Sequence, residues 1–382
     1  MTTQQPVTSW KTADEVRTAR WRSESGTPAP ASLHPVDDRL PASTAYGRIR
    51  SGEFLLYTGD YRNAQQLLRA LGRRLERLHE RDLKNHAPAS LADAFHAERR
   101  ARLREHDFLS RVLVPLDASY RLELKHAPDV AELCRQIWGP PDAPRTVVAL
   151  RELLGMIGAT EWRKKGVPVR ALGGERIYPY YGVFAPTRQE YLDLVAAAPF
   201  PEAVERAFDI GTGTGVLALV LALRGAKHVV ATDQDPRAVA CARENVERFK
   251  ATGRVEVQQA DLFPEGAADL VICNPPWIPA QPRTPMDRAI FDPDGRFLNG
   301  FLSGLRAHLT ARGQGWLVLS NLAELLGLRP EGALEQAFSQ AGLEISWTRE
   351  AQPKHPKAYD KSDPLHAARS RERTRLFCLV PA

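Results

Sequence analysis

Residues 207–217 read Ala-Phe-Asp-Ile-Gly-Thr-Gly-Thr-Gly-Val-Leu, an apolar strand that runs into three alternating glycines and leaves them as a helix. Glycine admits positive φ and lets a ligand come close to the backbone. The first turn of the new helix offers free N–H groups to a carboxylate or phosphate. The chain is thereby committed to a strand–turn–helix unit around Gly211, Gly213 and Gly215, with a small anionic or polar ligand seated on the turn. Dinucleotide folds space their glycines Gly-x-Gly-x-x-Gly. Here Val216 holds the third position, which argues against a nicotinamide dehydrogenase.

The continuation repeats the pattern of a strand ending in an acid. Residues 228–233, His-Val-Val-Ala-Thr-Asp, read as a buried strand. It ends in Asp233, 22 residues after Gly211, and about 20 is the spacing of a ribose-binding carboxylate in nucleotide folds. Asp235 and Pro236 have the chemistry of a helix start. Residues 255–261 form a third strand with Asp261 at its end, and residues 268–273 form a fourth that runs directly into Asn274-Pro275-Pro276-Trp277. Taken singly, each acid is an ordinary cap or loop residue. All of them in order, at successive strand ends, are more than that.

The Asp-x-Gly-x-Gly-x-Gly run beginning at Asp209 resembles the first motif of class I methyltransferases, which bind S-adenosylmethionine (SAM). That resemblance implies an α/β fold with a seven-stranded, doubly wound, Rossmann-like sheet whose final strand is antiparallel. It also implies roles. Gly211, Gly213 and Gly215 would hold the methionyl end of SAM, with Asp209 near its amino group. Asp233 would bind the ribose hydroxyls, Asp261 and Leu262 the adenine, and Asn274 would stand where cofactor and acceptor meet.

Asn-Pro-Pro followed by an aromatic resembles the signature of amino-methylating enzymes: those acting on the exocyclic amines of adenine and guanine, and the glutamine-amide (HemK-type) group. Methyl transfer from a sulfonium needs no metal, because the leaving group departs neutral. The obstacle is the delocalised lone pair of an amide or aromatic amine. Accepting its two N–H groups on the Asn274 side-chain oxygen and the Pro275 carbonyl favours a pyramidal nitrogen and aims the lone pair at the methyl group. Pro275 and Pro276 stiffen the turn, and the face of Trp277 can stack on a planar acceptor.

Residues 272–279, Ile-Cys-Asn-Pro-Pro-Trp-Ile-Pro, are most similar to the HemK type, and residues 291–298 to the segment that follows it there. Residues 181–188, Tyr-Gly-Val-Phe-Ala-Pro-Thr-Arg, resemble the stretch before the SAM domain in both groups, with Gly-Val-Phe nearer the ribosomal-RNA guanine enzymes. Trp277 stands where these enzymes carry Tyr or Phe, and the Pro-Arg-Pro-Glu run of the HemK group is absent. The resemblance implies a SAM-dependent N-methyltransferase acting on a protein glutamine amide, ahead of an exocyclic amine in RNA or DNA. The implied partner is a protein, such as a translation factor or ribosomal protein, or RNA. The non-enzyme alternative is a SAM- or RNA-binding module, which has no need of Asn274 and Trp277.

Composition bounds the rest. With 43% hydrophobic and 26% charged residues in 382, the chain has the balance of a soluble globular protein of two domains. No stretch approaches the ~18 apolar residues of a membrane span, and residues 1–10 lack a charged-then-apolar leader, so a cytoplasmic protein without a membrane partner is expected. Cys134, Cys241, Cys273 and Cys378 have no paired spacing, which argues against a metal site or a disulfide framework. The net charge of +6, with 52 basic residues of which ten are lysine, is mild for a nucleic-acid binder.

Three segments are expected: an arm or linker over 1–45, a mostly helical accessory (substrate) domain over 46–179, and the SAM domain over 180–382. The arm reads as a helix over 12–22 and a Ser/Pro/Ala-rich run over 23–43. Asp60 caps a helix whose Ala64, Leu67, Leu68, Leu71, Leu75 and Leu78 share one face. Further helices are predicted over 91–112, 129–138 and 147–162, and strands over 111–116 and 120–125. In the SAM domain helices follow at 297–310 and 328–341, and strands at 315–320, 343–348 and 375–380. A basic loop over 354–373 carries Lys354, His355, Lys357, Lys361, Arg369, Arg371 and Arg373. It faces either a substrate or solvent.

Overall fold

The computed structural model describes residues 6–12, 15–282, 284, 286–354 and 356–382, and it separates into two compact units. The first takes residues up to 89 together with 96–161, and the second takes 90–95 and 162–382.

The first unit is built on a six-stranded sheet. In chain order it contains β1 (Val7–Lys11), β2 (Val16–Arg22), β3 (His34–Val36), α1 (Ala42–Arg50), β4 (Leu55–Tyr57), α2 (Tyr61–Asn85), most of α3 (Leu91–Leu109), β5 (Val112–Asp117), α4 (Ala131–Trp138), β6 (Arg145–Ala149) and most of α5 (Leu150–Lys165). The strand order is β1-β2-β6-β5-β4-β3. Its central strands are continuous apolar runs, with Val112, Leu113, Val114 and Leu116 all buried, as strands covered on both faces must be. Asp60 does cap α2, accepting from the Arg62 and Asn63 amides at 2.8 and 3.4 Å, and Ala64, Leu67, Leu68 and Leu71 are buried along one face.

Four expectations are corrected here. The segment expected as an arm with a helix over 12–22 instead supplies strands β1, β2 and β3. In β2 the period is two: Ala19 and Trp21 point inward, while Arg20 and Arg22 point outward to Asp142 at 2.9 and 3.1 Å. Thr12 lies before this strand, and residues 13 and 14 lie outside the described residues. The accessory domain is therefore a mixed α/β unit rather than a mostly helical one. Residues 120–125 form no strand: the chain turns sharply at Tyr120 (φ 62°) and makes an isolated bridge to β5 at Leu116 and Leu122, with the Asp117 amide donating to the Arg121 carbonyl at 2.9 Å and the Glu123 amide to the Pro115 carbonyl at 3.0 Å. Residues 147–149 belong to β6, and the helix starts at Leu150.

The second unit opens with a short hairpin of β7 (Val167–Pro168) and β8 (Arg176–Ile177), then α6 (Glu190–Ala197). It continues through β9 (Arg206–Ile210), α7 (Val216–Leu223), β10 (His228–Asp233), α8 (Pro236–Arg248), β11 (Val255–Gln259), β12 (Ala268–Cys273) and α9 (Arg296–Leu305). The last elements are β13 (Leu309–Ser320), α10 (Leu322–Leu325), α11 (Ala333–Gln340), β14 (Leu343–Ala351), α12 (His366–Arg369) and β15 (Thr374–Pro381). Seven strands pair in the order β11-β10-β9-β12-β13-β15-β14, parallel from β11 to β13, with β15 antiparallel to both neighbours. This is the seven-stranded, doubly wound Rossmann-like methyltransferase sheet.

Strand alternation decides which helices cover which face. Ala207, Val229, Ala231, Leu270, Ile272, Trp316 and Val318 pack with α6, α7 and α8. Phe208, Ile210, Val230, Val271, Leu317 and Leu319 pack with α9 and α11. Burying each of the Val, Leu, Ile and Phe side chains contributes about 1.5–3 kcal/mol, so both faces hold their helices firmly. The strand ends that carry the motif residues are thereby fixed along one edge.

Candidate functional site

Along that edge lie the C-terminal ends of β9, β10, β12 and β13 and, because β15 runs the other way, its N-terminal end. The chain leaves β9 for one face and returns through the other, so the crevice between β9 and β12 is the switch point at which such sheets bind ligands. A cavity of about 680 Å³ opens there. Its walls include Gly211, Gly213, Asp233, Asn274, Pro275, Pro276 and Trp277.

The glycine turn is held by main-chain bonds. The Gly211 and Thr212 amides donate to the Thr232 carbonyl at 2.9 and 2.8 Å. All three glycines have positive φ, but each meets different surroundings. A Cβ on Gly215 would stand 3.3 Å from Ala242 in α8, whereas one on Gly213 would meet nothing within 4 Å. Gly213 is thus the open place on the turn, and Gly215 lies behind it, outside the cavity lining. Asn245, fully buried in α8, donates to the Thr214 carbonyl at 3.0 Å and accepts from the Tyr178 amide at 2.9 Å.

The acids divide. Asp233 lines the cavity and accepts from the Gly213 amide at 3.0 Å and the Asp235 amide at 3.0 Å. Burial pushes its carboxyl above the usual range, against the pull of those amides. Asp209 is closed off from the cavity: its Oδ2 accepts from the Thr212 hydroxyl at 2.6 Å and the Ala218 amide at 2.9 Å. Its Oδ1 has no protein partner, and burial raises its pKa to about 7. It braces the turn from beneath rather than facing a ligand. Asp261 stands outside the lining, exposed and paired with Arg296 at 2.8 Å. Leu262 is also outside it, and its carbonyl accepts from Thr232 at 2.6 Å.

The other half of the cavity follows β12. The Trp277 indole N–H donates to Asn274 Oδ1 at 3.0 Å. The Trp277 and Ile278 amides both reach the Ile290 carbonyl at 3.1 Å, so the Asn-Pro-Pro-Trp turn is tied to the segment beyond it. Asp292 anchors that segment by accepting from the Phe297 and Leu298 amides at 2.9 and 3.0 Å at the start of α9.

Sequence reading missed the facing wall. Arg188 pairs with Glu190 at 3.0 Å and Glu372 at 3.2 Å, and the Ser320 hydroxyl donates to Glu372 at 2.8 Å. Burial works against charge on Arg188, but the two carboxylates outweigh it and raise its pKa. No sequence signal links Arg188 and Glu190 to Ser320 and Glu372, which come from elements far along the chain. The basic loop is not an open strap. Ala358, Leu365 and Ala368 are buried, Arg369 pairs with Asp363 at 3.2 Å, and the Arg373 amide donates to Asn321. His355 and the side chain of Lys357 lie outside the described residues.

The family of ribosomal protein L11 methyltransferases (PrmA) matches residues 192–286, from α6 through the Asn-Pro-Pro-Trp turn. The resemblance is to methyltransferases. The ribosomal protein L11 methyltransferase of Clostridium perfringens (strain SM101 / Type A) is 35% identical over 139 residues, covering 30% of this chain and 44% of its own. The release factor glutamine methyltransferase of Cereibacter sphaeroides is 38% identical over 122 residues, covering 30% and 43%. The crystal structure of a ribosomal protein L11 methylase from Lactobacillus delbrueckii subsp. bulgaricus aligns with a TM-score of 0.37 at 20% identity, over 55% of this chain and 86% of that one. The chain spans less than half the length of the two curated relatives. Among the described residues, no helix is long and apolar enough to cross a membrane.

Proposed function

We propose that this chain is a SAM-dependent N-methyltransferase acting on a protein, with a glutamine side-chain amide as the acceptor. One observation carries the reading: a single cavity joins the glycine turn and Asp233 at one end to Asn274 and Trp277 at the other. The residues fit the cofactor. Gly213 leaves room for a close approach to its backbone, and Asp233 offers a carboxylate to a pair of hydroxyls beside it.

SAM, when bound, supplies a methyl group on a sulfonium that departs as a neutral thioether. The chain's own residues do the rest. The turn holds the amino-acid end of the ligand, and Asp233 holds its ribose. Asp261 and Leu262, which stand just beyond the cavity lining, would take the adenine, with one Asp261 oxygen already paired with Arg296. Asn274 Oδ1 has two lone pairs, of which Trp277 engages one. The other accepts one N–H of the acceptor, and the Pro275 carbonyl accepts the second. Those bonds strengthen as the nitrogen becomes pyramidal, so their effect falls on turnover.

Support for a protein acceptor comes from the relatives, which are named for ribosomal protein L11 and for release factor glutamine. Support for an amide nitrogen comes from Asn274-Pro275-Pro276-Trp277. Labelling a lysate with tritiated SAM and the purified protein tests the reading. The label should survive nuclease, vanish with protease and map to methylated glutamine. A nuclease-sensitive label overturns the protein acceptor.

A further inference from the structure

An indole differs from the ring of Tyr or Phe in carrying an N–H that can only donate. In this chain that N–H reaches Asn274 Oδ1 at 3.0 Å. The oxygen and nitrogen ends of an asparagine amide have nearly the same shape, so which end faces a ligand is fixed only by its hydrogen bonds. A donor-only partner selects the oxygen. Trp277 therefore settles the orientation of the amide on which the proposed chemistry depends.

The indole is held in turn. The Arg188 guanidinium lies 5.8 Å from the centroid of the Trp277 ring, within the range of a cation–π contact. Arg188 comes from the segment before α6, and it is clamped by Glu190 and Glu372, only 4% and 3% exposed. Glu372 is fixed by Ser320 at the end of β13. The solvated alternative, a surface arginine with loose counter-ions, does not describe this group, because moving Arg188 would strand two buried carboxylates.

We propose that Trp277 is a positioning residue for Asn274, and that Arg188, clamped by Glu190 and Glu372, is the positioning residue for Trp277. The inference rests on the methyltransferase reading above, in which Asn274 meets the acceptor. It adds an orienting role, through the indole edge, to the stacking expected of the ring face at position 277.

Two measurements on the full chain test it, one independent of activity. With 15N-labelled tryptophan, the Trp277 indole signal, assigned through Trp277→Phe, should exchange with solvent at least about tenfold more slowly than that of Trp162, which is 53% exposed. Asn274→Ala and Arg188→Met should each remove that protection, and Arg188→Lys should retain most of it. An indole that exchanges as fast as Trp162 in the wild type, or protection unchanged in Arg188→Met, overturns the relay.

The second measurement follows tritiated methyl transfer to ribosomal protein L11 and to a release factor as probes. Trp277→Phe should lower kcat about 10- to 100-fold with the KM for the probe and the Kd for SAM little changed. A raised KM with kcat intact makes Trp277 a stacking platform only and overturns the proposal. A wild type inactive on both probes counts against the acceptor reading alone, and the indole exchange then decides the relay.

Discussion

Gly211 is closed over by Phe297: a Cβ placed on the glycine would stand 2.9 Å from Cζ of the phenyl ring. The first glycine of the turn is thus required by packing from α9 as well as by its φ of 73°. Gly211→Ala should destabilise the protein by about 1–3 kcal/mol through overlap and backbone strain. Gly213→Ala, with open space around its Cβ, should cost about 1 kcal/mol from its φ alone and act mainly on ligand binding. Thermal melts and SAM calorimetry on the two variants check this division. Equal stability losses would contradict it.

Asp233→Ala should weaken SAM binding by about 1.5–3 kcal/mol, the range for hydrogen bonds to a charged acceptor. Wild-type affinity by calorimetry would remove Asp233 from the ribose site.

Asp261 offers a sharper test of the adenine end. If it binds the base, its pair with Arg296 competes with the ligand. An exposed pair is worth about 0–1 kcal/mol, so Arg296→Met should tighten SAM binding by up to about fivefold, while Asp261→Ala loosens it. Unchanged affinity in both variants would place the adenine elsewhere.

Asp209 links the turn to pH. Burial raises its carboxyl to about 7 from 3.8, helped by Asp233 and opposed by Thr212 and Ala218. A carboxyl held above its unfolded value binds a proton more readily in the folded protein. Its contribution is therefore fully present below about pH 4 and is lost as pH rises through about 7. The full span corresponds to on the order of 4 kcal/mol. Asp209→Asn should flatten the fall in melting temperature across that window. An unchanged pH profile would mean that Asp209 titrates normally.

The second unit was legible because its signals are local. The central strands β9, β10 and β12 are short, mostly apolar runs, and each motif residue sits within a few positions of a strand end, so order alone predicts the crevice. What escaped depends on distance or on direction. Asp209 and Asp261 have the right positions in sequence, but only the packing shows that one lies beneath the turn and the other is paired with Arg296 at the surface. Arg188, Glu372 and Ser320 meet through the antiparallel entry of β15, which no local pattern encodes. In the first unit β2 was read as a helix because its charged residues obscure a period-two face made by Ala19 and Trp21 alone.

The proposed chemistry turns on Asn274, and one comparison of variants tests its role. SAM affinity and methyl transfer to the identified acceptor are measured side by side for the wild type and Asn274→Ala. SAM affinity should stay within about threefold of wild type and turnover should fall by about 100-fold or more, because the lost contact is made to the acceptor and counts most in the transition state. Normal turnover in Asn274→Ala, with the acceptor methylated at the same site, would contradict that role.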